Sequence, residues 1–174
     1  MHYDDAIYGP VEITEPVLLE LMESDAMRRL RGISQHGVTA LLGITPSFSR
    51  FDHSVGAMLL VRDLGAPVEE QAAALLHDIS HTAFSHVIDF VFDDHSGQSY
   101  HEKKKEELVA ASDVPEILGR HGMDWRGLMD EARFPLLEQS SPDLCADRLD
   151  YFFRDLEFLG LAGDGEIEAA VASL

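Results

Sequence analysis

Three short stretches carry residues that could hold a metal. His77-Asp78 ends a run that is otherwise apolar, Ala72-Ala73-Ala74-Leu75-Leu76. Asp147 lies in a segment whose other residues include Leu144, Leu149, Phe152, Phe153 and Leu156. A carboxylate beside so apolar a surface needs a partner, because burying an uncompensated charge is costly. Imidazole and carboxylate together are a ligand set for borderline divalent metals. Adjacent His and Asp side chains reach one ion only at a helix end or bend, and the apolar pattern breaks down after Asp78. A His-Asp dipeptide alone is common in proteins. Its company here is not: His53 lies upstream in Arg50-Phe51-Asp52-His53-Ser54, and His81 and His86 follow.

The elements that must position these residues read as helical nearly throughout. Ala, Leu, Glu and Arg dominate, and no cluster of alternating β-branched residues marks a strand. Pro16 opens a first helix, Ser24-Asp25 a second that stops at Gly32, and Gly37–Phe48 reads as an irregular connection. A helix is expected from about Ser54 to Leu64, closed by Gly65. Pro67 starts the next, which carries Glu69 and Glu70 in its first turn and ends near His77-Asp78. Phe84 to Phe92 reads as helix and Asp93–Gly97 as a loop. Ser99-Tyr100-His101-Glu102 has the form of a capping box for a helix reaching about Ala111. Further starts stand at Asp113 and Asp124. Ser141-Pro142-Asp143 signals a long helix reaching Leu159, and a last short helix follows Asp164. No internal repeat or interdomain linker is evident.

The chain has 174 residues, with 32 Asp plus Glu against 13 Lys plus Arg, a net charge of −19. That length suits one domain, here residues 1–174, with its own core. The acidic balance argues against a binder that works by neutralising nucleic-acid phosphates, and against an anionic membrane surface. No apolar run approaches the ~18 residues of a membrane helix. The acidic start has no secretory pattern, and one cysteine, Cys145, forms no intrachain disulfide, so a cytoplasmic setting is expected. Cys145 reads as a small core residue. His2, His36, His95 and His121 read as surface or structural. Lys103-Lys104-Lys105, flanked by glutamates, reads as a solvated helix face.

The ordered set His53, His77-Asp78, Asp147 resembles the ligand set of the HD-domain metal-dependent phosphohydrolases. Arg50-Phe51-x-His53-Ser54-x-Gly56, His77-Asp78-Ile79-x-His81-x-x-Phe84-Ser85-His86 and Ala146-Asp147-Arg148-Leu149-Asp150-Tyr151 resemble motifs of its deoxynucleoside triphosphate triphosphohydrolase branch. Arg28-x-x-Arg31-x-Ile33-x-Gln35-x-Gly37 is similar to that branch's N-terminal segment. The resemblance covers about Tyr8 to Leu161. The fold expected is an all-α, single-domain helical bundle of about seven to nine helices, given typical helix lengths, with a metal where the helices carrying these residues converge. His53, His77, Asp78 and Asp147 would hold a divalent ion; Mn, Fe, Mg, Zn, Co and Ni all suit such ligands. Asp78 would also sit beside the attacking water.

The resemblance further implies that His86 is the general acid, with Asp89 on the same helix face raising its pKa and His101 in support. Arg50, His81 and Arg148 would contact phosphates, Tyr151 a phosphate or sugar, and Asp155 a sugar 3′-hydroxyl. Asp150 and Arg154, four apart, read as a helix ion pair. Ser80, Thr82 and Ala83 replace Gly and Pro residues usual in the second motif, so the backbone there is expected to bend differently. Little chain follows the Asp147 helix, so nucleotide-activated allostery is not expected.

The expected partner is a small phosphorylated substrate, a nucleotide foremost, with no membrane, nucleic acid disfavoured, and a homo-oligomer compatible. The alternatives are a nucleotidase or phosphomonoesterase on the same site, a dinuclear HD phosphodiesterase or oxygenase, and a non-catalytic nucleotide-binding module.

Overall fold

Local capping sets most helix starts. Pro16 opens α1 (Pro16–Met22). The Ser24 hydroxyl accepts from the Met27 amide and starts α2 (Asp25–Leu30). A single turn, α3 (Val38–Leu41), interrupts the connection expected to be irregular. Pro67 precedes α5 (Val68–Leu76), whose first turn carries Glu69 and Glu70. The Asp124 carboxylate accepts from the Arg126 amide at the head of α8 (Trp125–Leu128). The helices α6 (Tyr100–Ala110), α7 (Val114–Arg120) and α10 (Glu166–Val171) fall where the sequence places them. A computed structural model of the chain describes residues 1–84 and 100–174, with the backbone alone for residues 100–103. The helix expected over Phe84–Phe92 and the loop after it lie outside the described residues.

Three elements depart from expectation. The helix α4 (Arg50–Asp63) begins a full turn before Ser54. Ser49 and Asp52 form a capping box: the Ser49 hydroxyl accepts from the Asp52 amide at 3.1 Å, and the Asp52 carboxylate accepts from the Ser49 amide at 3.0 Å. Two orphan donors are thereby satisfied. The helix α9 (Ala146–Phe158) begins at Ala146, not at Ser141. The third departure is a β-hairpin at the N-terminus, β1 (His2–Asp5) paired antiparallel with β2 (Gly9–Glu12), Asp5 opposite Gly9. The other regular elements among the described residues are helices. The described residues contain ten α-helices against the roughly seven to nine expected, and of these the single turn α3 is unanticipated.

The core centres on α4, where Phe51, Val55 and Ala57 through Val61 are buried. It packs against α5, α9 and α2. The helix α9 packs inward through an apolar stripe of Ala146, Leu149, Phe153 and Leu156. Its buried residues are Ala146, Asp150, Phe153 and Arg154, whereas Phe152 is 51% exposed and Leu144, just before it, 70%. Beside the apolar stripe, Asp147, Asp150, Tyr151 and Arg154 recur at helical spacing as a polar stripe, of which Asp150 and Arg154 are buried while Asp147 and Tyr151 reach the surface.

Candidate metal centre

Starting α4 at Arg50 puts Arg50 and His53 one turn apart on the same face. Across from them stands the polar stripe of α9. His77 caps the C-terminus of α5, and Asp78 follows in the turn. That turn is held by Arg29, which donates to the carbonyls of His81 at 2.8 Å and Ile79 at 2.5 Å.

Each imidazole has one nitrogen fixed from behind. His53 Nδ1 donates to Asp150 Oδ2 at 2.7 Å, and His77 Nδ1 donates to the Ala74 carbonyl at 2.7 Å. A neutral ring that donates through Nδ1 keeps its lone pair on Nε2. The two Nε2 atoms lie 3.2 Å apart. Asp147 Oδ1 is 2.9 Å from His53 Nε2 and 3.4 Å from His77 Nε2. Three atoms that can each offer a lone pair therefore converge, an arrangement suited to sharing a proton or a metal cation. Their spacings suit a divalent metal. Ligands about 2.1 Å from an ion stand ~3.0 Å apart in an octahedron and ~3.4 Å apart in a tetrahedron. His53, His77 and Asp147 thus form a set fit to hold one divalent metal ion.

Asp78 stands at the edge of this set, 3.7 Å from His77 Nε2 and 3.9 Å from His53 Nε2. Its two oxygens are engaged by Arg50 at 2.5 Å and by His81 Nε2 at 3.1 Å. Burial opposes ionisation of Asp78, yet His77, His81 and Arg50 hold its carboxyl well below the usual range. Burial likewise disfavours protonated His53, but the Asp147 and Asp150 carboxylates outweigh it and push its pKa up to about 10. Burial acts against Asp147 ionisation as well, and the two imidazoles overcome it. The site is built to concentrate negative charge around a cation.

Behind His53 lies a relay that the sequence reading missed. Asp150, fully buried, also accepts from Arg154 Nε at 2.8 Å and from the Tyr8 hydroxyl at 2.9 Å. Arg154 in turn donates to Asp5 in the hairpin at 2.9 Å. The expected Asp150–Arg154 ion pair is present, with a second duty of orienting a candidate ligand. Gly56 makes room for it: a Cβ there would fall 1.9 Å from Asp150 Oδ1 and 2.2 Å from an Arg154 nitrogen.

A cleft of about 240 Å³ opens over the site, lined by His77, Asp78, Asp147, Arg50, His81 and Tyr151. Gln35, Lys105, Glu131 and Glu138 complete its wall, none of them anticipated there. Lys105 corrects the reading of its run. Lys104 is exposed and pairs with Glu107, but Lys105 is buried and pairs with Glu131. Arg148 does not line the cleft. It donates to Glu138 at 2.6 Å and to the carbonyls of Gln139 and Asp143, tying down the loop before α9. Asp155 is outside the lining too, and accepts from His36 Nε2 at 2.8 Å, so His36 has a specific partner. Cys145 is a buried free thiol. His86 and Asp89 lie outside the described residues, and His101 contributes only its place on α6.

The family described as HD domain matches residues 50–155. Among relatives, the metal-dependent phosphohydrolase cns2 of Cordyceps militaris is 49% identical over 170 residues, covering 98% of this chain and 49% of its own length. The uncharacterized protein YdhJ of Bacillus subtilis is 46% identical and is covered over 48% of its length. The deoxynucleoside triphosphate triphosphohydrolase SAMHD1 of Gallus gallus is more distant, 26% identical over 209 residues. This chain therefore spans about half the length, or less, of the curated relatives it matches. A hypothetical protein of known structure from Aquifex aeolicus superposes with a TM-score of 0.74 at 22% identity, over all of this chain and 51% of that one, which speaks to the fold. The motifs from Arg50 to Asp155 and their helical frame agree with these matches: the chain belongs to the HD-domain family, whose members include metal-dependent phosphohydrolases.

Proposed function

We propose that this chain hydrolyses a phosphate ester or anhydride of a nucleotide-like substrate, a (deoxy)nucleoside triphosphate foremost, by attack of water on phosphorus. The observation that carries the reading is the meeting of three lone-pair atoms at the base of a cleft that also presents Arg50 and His81. His53, His77 and Asp147 hold the divalent metal, joined by Asp78. The bound metal supplies Lewis-acid chemistry, acidifying water and offsetting charge that develops on the phosphoryl group. Arg50 and His81 fix the orientation of Asp78 and present positive charge or hydrogen-bond donors to a phosphate beside it. Tyr151, on the cleft wall, meets the sugar or a phosphate. His86 delivers a proton to the leaving oxygen, with Asp89 and His101 sustaining its basicity. The distant likeness to SAMHD1 supports the triphosphate.

One observation favours the second reading, a phosphomonoesterase or nucleotidase. Asp155, the carboxylate assigned to the sugar by resemblance, is already held by His36 and stands outside the cleft lining.

The test is a hydrolysis screen of metal-stripped protein with Mn, Mg, Fe, Co, Ni or Zn added singly. Substrates are dNTPs, NTPs, NMPs and p-nitrophenyl phosphate, with Asp147→Ala as control. Tripolyphosphate release from dNTPs, lost in the control, supports the first reading. Orthophosphate from monophosphates supports the second. Binding of metal and nucleotide without turnover overturns both and leaves a binding module.

A further inference from the structure

Lys105 has no role in the chemistry above, yet its position is unusual. It is 7% exposed, and buried lysines are rare unless paired. Among the described residues its recorded partner is Glu131, in the turn Glu131–Arg133, whose side chain is 34% exposed. Both residues line the metal cleft, and both also line a second, more open cleft with Glu106, Met129 and Asp130. The pair is therefore the partition between the two spaces.

Charge decides what this partition does. The metal cleft carries the carboxylates of Asp78, Glu131, Glu138 and Asp147. Against them, among the described residues, stand two basic side chains, Arg50 and Lys105. Arg50 is bonded to Asp78, so it serves the phosphate beside the metal. Arg148 is turned into the loop before α9. A polyphosphate carries further negative charge that this acidic wall would repel, and Lys105 is the cation placed to receive it. An ammonium has three donors, and Glu131 occupies one of them.

We infer that Lys105 holds a substrate phosphate other than the one attacked, and that Glu131 is the counter-ion which that phosphate displaces. The inference rests on the phosphohydrolase reading and deepens it: Lys105 is the residue by which the site prefers a chain of phosphates to a single one. It also assigns opposite signs to the two members of one ion pair. Loss of Lys105 removes a contact to the incoming anion. Loss of the Glu131 charge removes that anion's competitor. A pair serving only to join α6 to the turn predicts the same sign for both.

The probe is inorganic tripolyphosphate, compared with orthophosphate, titrated calorimetrically into Mn-loaded protein with free Mn in excess. Lys105→Met is expected to weaken tripolyphosphate at least about tenfold, a charge-assisted contact being worth that much or more. Orthophosphate should lose less. Glu131→Gln is expected to tighten tripolyphosphate, and Lys105→Arg to restore most of the affinity. If Lys105→Met unfolds, Glu131→Gln alone decides by its sign. Weaker binding in Glu131→Gln, an equal loss for both anions in Lys105→Met, or no tripolyphosphate binding by the wild-type protein overturns the inference. Turnover is read separately. A wild-type protein that binds tripolyphosphate through Lys105 but hydrolyses nothing refutes the enzyme reading and leaves this one standing.

Discussion

Asp150 offers the sharpest test of how the metal set is held. Its carboxylate is fully buried and takes three donors: His53 Nδ1 at 2.7 Å, Arg154 Nε at 2.8 Å and the Tyr8 hydroxyl at 2.9 Å. Asp150→Asn keeps the shape and removes the charge. Its amide oxygen can still face His53 and Arg154, and its NH2 can donate to the Tyr8 oxygen. The ion pair with Arg154 is lost and the bond from His53 no longer meets a carboxylate, each change costing on the order of 1 kcal/mol. The expected loss of stability is about 2 kcal/mol, a fall in melting temperature of roughly 4–8 °C for a chain of this size. The larger effect falls on the metal. His53 loses the carboxylate that orients its ring and raises its basicity, so affinity for Mn or Co should fall roughly 10–100-fold. Asp150→Ala is the poorer probe. It leaves Arg154 and His53 facing a void, at a cost of about 3–5 kcal/mol. The assay is calorimetric metal titration of Asp150→Asn beside its thermal unfolding in chelator. Metal affinity within twofold of wild type, in a variant that folds, would refute the claim that Asp150 orients His53.

Gly56→Ala should destabilise the protein despite the better helix propensity of alanine, because its Cβ would meet Asp150 Oδ1 at 1.9 Å. Overpacking of this kind costs about 1–3 kcal/mol, and a denaturant midpoint at or above wild type would contradict the packing described. Metal affinity should rise with pH. The His53 pKa is pushed to about 10, so between pH 7 and 10 metal must displace a proton, and Kd should fall by up to about tenfold per pH unit. The stability of the metal-free protein is expected to follow the opposite trend. Its His53 stabilisation is complete below the ordinary pKa of 6.5 and is lost as pH rises through about 10, so chelated samples should melt progressively lower over that window. A flat Kd across pH 7–9 counts against the assignment. Arg29→Gln should loosen the turn carrying Asp78 and His81 and depress turnover at least about tenfold, the value of one charge-assisted hydrogen bond, while His53, His77 and Asp147 still retain metal. Equal loss of metal and activity would show that the turn and the metal set are one unit.

Much of this molecule follows from short-range chemistry. A cap or a proline acts within one turn, so Pro16, Ser24, Pro67 and Asp124 mark helix starts that local reading finds. Spacing likewise puts Asp147 on one face with Tyr151, and Asp150 with Arg154. The residue types at His53, His77, Asp78 and Asp147 announce metal chemistry before any coordinates are known. Where local signals mislead, the reason is also physical. Ser141-Pro142-Asp143 looks like a helix start, but Arg148 holds the carbonyls of Gln139 and Asp143 on either side of the proline and α9 begins later. The hairpin has strands of four residues with little alternation, and Asp5 is buried there because Arg154 receives it.

Tertiary structure alone decided which polar groups meet. His53 and Asp150 are 97 residues apart, and Asp5 and Arg154 are 149 apart. Local propensity carries no information over such separations, because these contacts exist only once α4, α9 and the hairpin have packed. The same packing buries Asp150 and Arg154 beside the apolar face of α9 and leaves Phe152 exposed. It also turns Lys105 from a member of a charged run into part of the cleft wall. Residue type and spacing thus determined the chemistry available to the chain. Three-dimensional packing determined which groups lose water together, and so which carboxylate, imidazole or ammonium acts on which.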